Sequence, residues 1–165
     1  SITVHERSLA VTQRNWKAWQ GVCDAKLDLG RFDEAITACR ESIRILPTFP
    51  EAWQTLGVVI ARKGSHAEAI PYFRRALELR PDYFNAYLNL GSAAGNLGNY
   101  GEAIANFNQA LRIRPADADT WFFLGRALLK SGDRAGALQA YEKLRLYDAA
   151  KARSLGEQLN GRQSR

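Results

Sequence analysis

Few side chains in this sequence have the type and spacing that chemistry needs. Asp24 and Asp28 lie one helical turn apart, the spacing that could bring two carboxylates together for acid–base work. On an exposed helix face such a pair is ordinarily solvated surface. His5 and His66 are far apart in the chain, and His66 directly follows Ser65 at a helix start, which marks it as a half-exposed structural residue. With Cys23 and Cys39 they make two histidines and two cysteines, too few for a structural zinc site of the usual kind. No Gly-rich phosphate loop, nucleophile elbow or His-Glu-x-x-His sequence occurs. Catalysis needs titratable groups that converge in one place. The sequence therefore predicts no enzyme, no catalytic or metal-binding residue and no cofactor.

What remains is recognition chemistry. Trp121 and Leu124 sit three apart and claim one face of a helix, so the intervening Phe122 and Phe123 cannot both join them. At least one should be exposed beside Arg126 and Lys130. Exposed aromatic side chains next to cations make a protein-binding patch.

The elements that position these groups recur with a fixed period. Gly57, Gly91 and Gly125 are 34 residues apart, and so are Gly30, Gly64, Gly98 and Gly132. Pro47, Pro81 and Pro115 keep the same spacing, as do Ala35, Ala69, Ala103 and Ala137. Within one period the apolar residues fall at helical intervals: Trp53, Leu56 and Ile60, then Ala69, Ile70, Phe73, Ala76 and Leu77. Each period thus encodes two amphipathic helices. The Gly column at 30, 64, 98 and 132 should end the first helix in a left-handed cap. The Pro column should end the second, because Pro cannot continue it. The Gly column at 57, 91 and 125 lies in mid-helix, where Gly costs about 1 kcal/mol against Ala. Its recurrence implies close approach of a neighbouring helix, with the Ala column as the natural partner surface. Pro71 falls inside a second helix, where it should remove one backbone hydrogen bond or be tolerated at the surface.

In an antiparallel pair turning at Gly30 and Arg31, Cys23 and Cys39 come nearly opposite one another. Two readings stay open: a pair of buried thiols packing as small hydrophobes, or a disulfide if the Cα atoms approach within about 7 Å. A disulfide would favour an oxidising compartment.

Composition agrees with a folded domain. The chain has 165 residues, 46% apolar and 24% charged, with no apolar run long enough to cross a membrane, so no direct membrane insertion is expected. The net charge of +6 invites a nucleic-acid reading. However, Arg7, Arg14, Lys151, Arg153, Arg162 and Arg165 lie in the two terminal stretches, and the body is nearly balanced. No nucleic-acid partner is expected.

The strings Trp53-x2-Leu56-Gly57 with Ala69-x3-Phe73 and Pro81, Tyr87-x2-Leu90-Gly91 with Ala103-x3-Phe107 and Pro115, and Trp121-x2-Leu124-Gly125 with Ala137-x3-Tyr141 resemble the tetratricopeptide repeat (TPR) family. The resemblance implies an all-α, right-handed TPR solenoid of antiparallel helix pairs. The repeats would span 16–49, 50–83, 84–117 and 118–151. Residues 1–15 would be a leading helix, the second half of an incomplete repeat, because Ile2, Ser8, Leu9 and Val11 fall on the columns of Ile36, Ser42, Ile43 and Ile45. Residues 152–165 would form a capping helix through Ala152, Leu155 and Leu159, then a frayed tail. With no Met at position 1 and only half a repeat in front, a longer parent chain is expected.

In this family the first helices line a concave groove that holds extended peptides or partner helices. Carried onto this sequence, the groove positions are Gln20, Asp24, Gln54, Val58, Arg62, Leu88, Asn89, Ser92, Asn96, Phe122, Phe123, Arg126 and Lys130. The implied function is a protein–protein interaction scaffold with a protein or peptide partner. The carboxylate clamp of chaperone-binding TPR domains matches only at Asn89, so that ligand is not expected. Self-association through exposed end helices is a further possibility.

A narrower resemblance concerns the stretch Ser1-Ile2-Thr3-Val4-His5-Glu6-Arg7-Ser8-Leu9-Ala10-Val11-Thr12 with Asn15-Trp16. It is similar to the junction before a TPR tail in bacterial membrane proteins related to protein mannosyltransferases. That would make the domain an acceptor-recruiting accessory of a membrane-bound glycosyltransferase-like enzyme. It would be periplasmic in that case and cytoplasmic if the parent is soluble.

Overall fold

The computed structural model describes the backbone of residues 2–161 and the side chains of residues 15–161. The described residues form nine α-helices and no strand. In chain order these are α1 (Ile2–Asp28), α2 (Phe32–Ile45), α3 (Pro50–Arg62), α4 (His66–Leu79), α5 (Phe84–Asn96), α6 (Tyr100–Ile113), α7 (Ala118–Ser131), α8 (Arg134–Tyr147) and α9 (Ala149–Asn160). They divide into two compact units, residues 1–81 with α1–α4 and residues 82–165 with α5–α9.

The turns follow from the Gly column. Gly30, Gly64, Gly98 and Gly132 have φ of 69°, 102°, 79° and 93°, the left-handed region that a side chain penalises. The next residue's amide then reaches back five positions. Arg31 N–H donates to Lys26, Ser65 to Ile60 and Asn99 to Ala94, at 2.9, 3.1 and 2.9 Å. These bonds satisfy carbonyls that the helix end would otherwise leave open. Where Pro ends a second helix, an indole closes the joint: Trp53 Nε1 donates to the Pro47 carbonyl at 2.8 Å, and Trp121 Nε1 to the Pro115 carbonyl at 2.7 Å. α4 runs through Pro71, which lies on its exposed face where water can reach the unpaired carbonyl.

In the first unit α1 packs on α2, α2 on α3 and α3 on α4. Leu56, Val59 and Ile60 of α3 and Phe73 of α4 are buried. The mid-helix Gly57 faces the aromatic column rather than the Ala column: a Cβ there would lie 2.6 Å from the Phe73 ring. Cys23 and Cys39 are fully buried and joined as a disulfide, with Cα atoms 5.2 Å apart. Of the two open readings, the structure takes the cross-link over two free thiols, because two small side chains on closely packed helices bring their sulfurs together. Beside it the buried Ser42 hydroxyl donates to the Trp16 carbonyl at 3.0 Å, and the Trp16 ring lies 4.4 Å from Phe49.

α1 runs without a break from Ile2 to Asp28, through the stretch expected as a leading helix and the helix that follows it. The column that holds Pro47, Pro81 and Pro115 is Gln13 one period earlier, and residues 2–16 contain neither Gly nor Pro. Nothing there interrupts helical hydrogen bonding. The side chains of Ile2, Ser8, Leu9 and Val11, which carry the column match, lie outside the described side chains.

In the second unit Ala94, Ala103, Phe107, Leu111, Leu124 and Ala127 form one buried cluster between α5, α6 and α7. Leu129, Ala137, Leu144, Ala152, Leu155 and Leu159 form another, in which α9 covers α7 and α8. The capping role thus falls on Ala152, Leu155 and Leu159, on a helix that begins at Ala149. It restarts because the Asp148 carboxylate accepts the amides of Ala150 and Lys151, both at 3.0 Å. Gly91 faces Phe107, whereas Gly125 is met by Leu155 of α9 and not by Tyr141. The Tyr141 ring turns instead toward Gly156. Of the stretch expected to fray, 161–165, residues 162–165 lie outside the described residues.

Candidate functional site

The second unit contains a pocket of about 290 Å³. α5 contributes Ser92, Gly95 and Asn96 to one wall, and α7 contributes Phe123, Arg126, Ala127 and Lys130 to the other. α6 supplies Tyr100 and Phe107. The α7 set recurs at intervals of three and four, so one face of that helix lines the pocket. Gly95 has no side chain to obstruct the opening. The Phe107 and Phe123 rings stack at 6.0 Å with 24° between planes and make an apolar floor. The Arg126 guanidinium sits 5.7 Å from the centre of the Phe122 ring, a cation–π contact. The Ser92 hydroxyl donates to the Leu88 carbonyl at 2.9 Å.

Of the groove positions read from the sequence, this pocket gathers Ser92, Asn96, Phe123, Arg126 and Lys130. Leu88 packs against the α5–α7 core cluster, and Asn89 is half-buried on α5 outside the lining. Phe122 and Phe123 are both half-buried, so neither is exposed as the sequence reading expected, and each packs against a core cluster. Phe123 turns to the pocket, while Phe122 packs on the cluster beneath α9. The sequence reading missed Gly95, Tyr100, Phe107 and Ala127. Tyr100 had a signal: it shares a column with Phe32, His66 and Arg134, at the entry to each second helix.

In the first unit Gln20 is 9% exposed, and its amide nitrogen donates to Asp24 Oδ1 at 3.0 Å and to Thr55 Oγ1 at 3.2 Å. That amide is committed to the seam between α1 and α3. Desolvation in the seam pushes the Asp24 carboxyl above the usual carboxylate range; the Gln20 hydrogen bond opposes this, and nearby Asp28 adds to it. Gln54 and Val58 are half-buried on α3, and Arg62 is exposed at its last turn.

Both cysteines are in the disulfide, and no group of three or more His, Cys, Asp or Glu among the described residues could hold a metal ion. No helix among them is long and apolar enough to cross a membrane.

Two family models described as tetratricopeptide repeat match the chain, one over residues 48–116 and one over residues 88–154. Among solved structures, a MamA segment from Desulfovibrio magneticus RS-1 superposes with a TM-score of 0.82 at 24% identity, covering 90% of this chain and 85% of that one. Another MamA crystal structure gives 0.79 at 24% identity, covering 90% and 84%. YrrB, described as a TPR protein with an unusual peptide-binding site, gives 0.77 at 22% identity, covering 95% and 86%. At these identities the likeness is one of fold. None of the curated proteins matches the chain. Nothing in these matches bears on the mannosyltransferase-type junction.

Proposed function

We propose, from the premise that this chain belongs to the tetratricopeptide repeat family, that it is an interaction scaffold whose first helices hold a peptide or partner segment. The observation that carries this reading is the pocket between α5 and α7, where half-buried Phe123 stacks on the buried Phe107 ring beneath a polar rim. Phe123 would anchor an apolar side chain. Asn96, Arg126 and Lys130 would bind polar groups around it. Asn89 and Leu88 lie on the same helix as Ser92 and Asn96 and would act in support. A likeness of fold to a peptide-binding TPR protein agrees with this reading, and repeats of this kind serve as scaffolds more than as catalysts.

Substitution at Gly95 tests it. A Cβ there meets only the Ala103 Cβ, at an ordinary 3.7 Å, so a larger side chain can enter the pocket without disturbing the backbone. Gly95→Leu should fill the space, abolish capture of peptides from an immobilised array, and leave the melting temperature equal or higher. Equal capture by both proteins would place the binding surface elsewhere.

A second reading makes the domain an acceptor-recruiting accessory of a membrane-bound glycosyltransferase-like enzyme. The feature that favours a setting of that sort is the buried disulfide, since such bonds persist in oxidising compartments. Thiol labelling of protein taken from its native host tests the setting: free Cys23 and Cys39 would count against it.

A further inference from the structure

The pocket's chemistry narrows the partner, and this step rests on the peptide-binding reading above. Its rim carries Arg126 and Lys130, one helical turn apart on α7, together with Asn96 and Tyr100. It carries no carboxylate. Some cations elsewhere on the molecule are neutralised locally: Arg44 pairs with Glu41, Arg75 with Glu78, Arg145 with Glu142, and Lys151 with Asp148 and Asp119, whereas exposed Arg40, Arg62, Arg112 and Lys143 have no ion pair among the described residues. Among the described residues Arg126 and Lys130 have no such partner. Two like charges a turn apart repel one another, and the cation–π contact with Phe122 holds the guanidinium at the rim without neutralising it. Nor does the repeat itself require cations here, because the same two columns hold Asp24 and Asp28 in the first repeat.

We propose that this pocket binds an Asp or Glu side chain within an extended peptide, set beside an apolar residue that rests on Phe107 and Phe123. Charge complementarity selects the acid. Arg126 and Lys130 donate to its carboxylate, a charge-assisted arrangement stronger than a neutral pair, and the Asn96 amide and Tyr100 hydroxyl are placed to add donors. The lining comes from three helices, α5, α6 and α7, and we take the acid to be an internal side chain of the peptide, which the blocked termini of the test peptides examine.

The test uses the full chain and an array of acetylated, amidated heptapeptides, each with a central Leu or Phe flanked by Asp, Glu, Asn, Gln or Lys in turn. Retained peptides should contain Asp or Glu, and changing that residue to its amide should weaken binding about tenfold or more. Lys130→Gln should weaken the same peptides, and Arg126→Glu with Lys130→Glu should transfer preference to the Lys peptides. Both cations are exposed, so melting curves should be unchanged. Retention of neutral or basic peptides that Gly95→Leu still blocks would overturn the acidic selection and leave the pocket standing. Retention that Gly95→Leu does not block, or none at all, would overturn both. A matching set with free C-termini serves as the control, and retention by that set alone would replace the internal side chain with a chain end.

Discussion

Cys23 and Cys39 stand to one another as Gly57 stands to Phe73. Each pair joins a first helix to the middle of its second at the same separation of 16 residues. In the repeat of α3 and α4 the contact is a ring against a bare Cα. In α1 and α2 it is a covalent bond.

Reduction of that bond should therefore destabilise the first unit. Closing a loop of this length restrains the unfolded chain by about 3 kcal/mol. Thermal melts with and without dithiothreitol should show a lower transition in the reduced sample. The double variant Cys23→Gly with Cys39→Phe restores the contact used next door, so its melt should be indifferent to reductant. A reductant-sensitive melt in that variant would show that the disulfide is not the source of the effect.

Two glycines of α5 should respond in opposite ways to alanine. A Cβ at Gly91 would lie 2.8 Å from the Phe107 ring and 3.2 Å from the Ala103 carbonyl oxygen, a backbone atom that cannot step aside. Gly91→Ala should cost about 1–3 kcal/mol by overpacking, partly offset by better helix propensity. Gly95→Ala meets only ordinary contact, and should gain up to about 1 kcal/mol from propensity alone. Urea melts of the two variants decide this, and the same sign for both would contradict the packing argument.

The raised carboxyl of Asp24 predicts a pH effect on stability. A folded value above the ordinary 3.8 means that the folded chain holds this proton more tightly than the unfolded chain. Its contribution is fully present below pH 3.8 and is lost as pH rises through the raised value. Asp24→Asn keeps an acceptor for Gln20 and removes the charge. The variant should melt higher than the parent at neutral pH, and the difference should vanish below pH 3.8. Parallel pH profiles would remove Asp24 as the cause.

Asp148 should behave in the opposite sense. Hydrogen bonds from the Lys151 side chain and amide, then the Ala150 amide, hold its carboxyl below the usual range. Its stabilisation is present above pH 3.8 and is lost as pH falls through the depressed value. Asp148→Ala should speed amide exchange throughout α9 and lower the melting temperature at neutral pH, while α5 and α6 keep their protection. Unchanged exchange in α9 would mean that burial of Leu155 alone holds the helix.

The periodic columns made most of the fold legible. A left-handed turn admits Gly almost alone, and a helix stops at Pro, so Gly64 and Pro81 announce their structure locally. Three features were not legible, each for a physical reason. The continuity of α1 rests on the absence of a stop signal at Gln13, and an absence is weaker evidence than a match. The partner of Gly125 comes from Leu155, outside the repeat, so no column could point to it. The pocket needed Phe107, which the pattern marks as core; only the placement of α7 reveals that its ring stacks with Phe123. Ser92, Asn96, Arg126 and Lys130 could be read because they follow the outward face of a first helix.

The seat over Gly125 is filled by a side chain borrowed from beyond the repeat. Leu155 acts as an interchangeable key, entering a lock that takes a ring at Gly57 and Gly91. A designer could graft α9 with its Asp148 latch behind another helix pair as a ready-made stopper. Conversely, removing it and turning Tyr141 back toward Gly125 would open the array to growth by whole helix pairs.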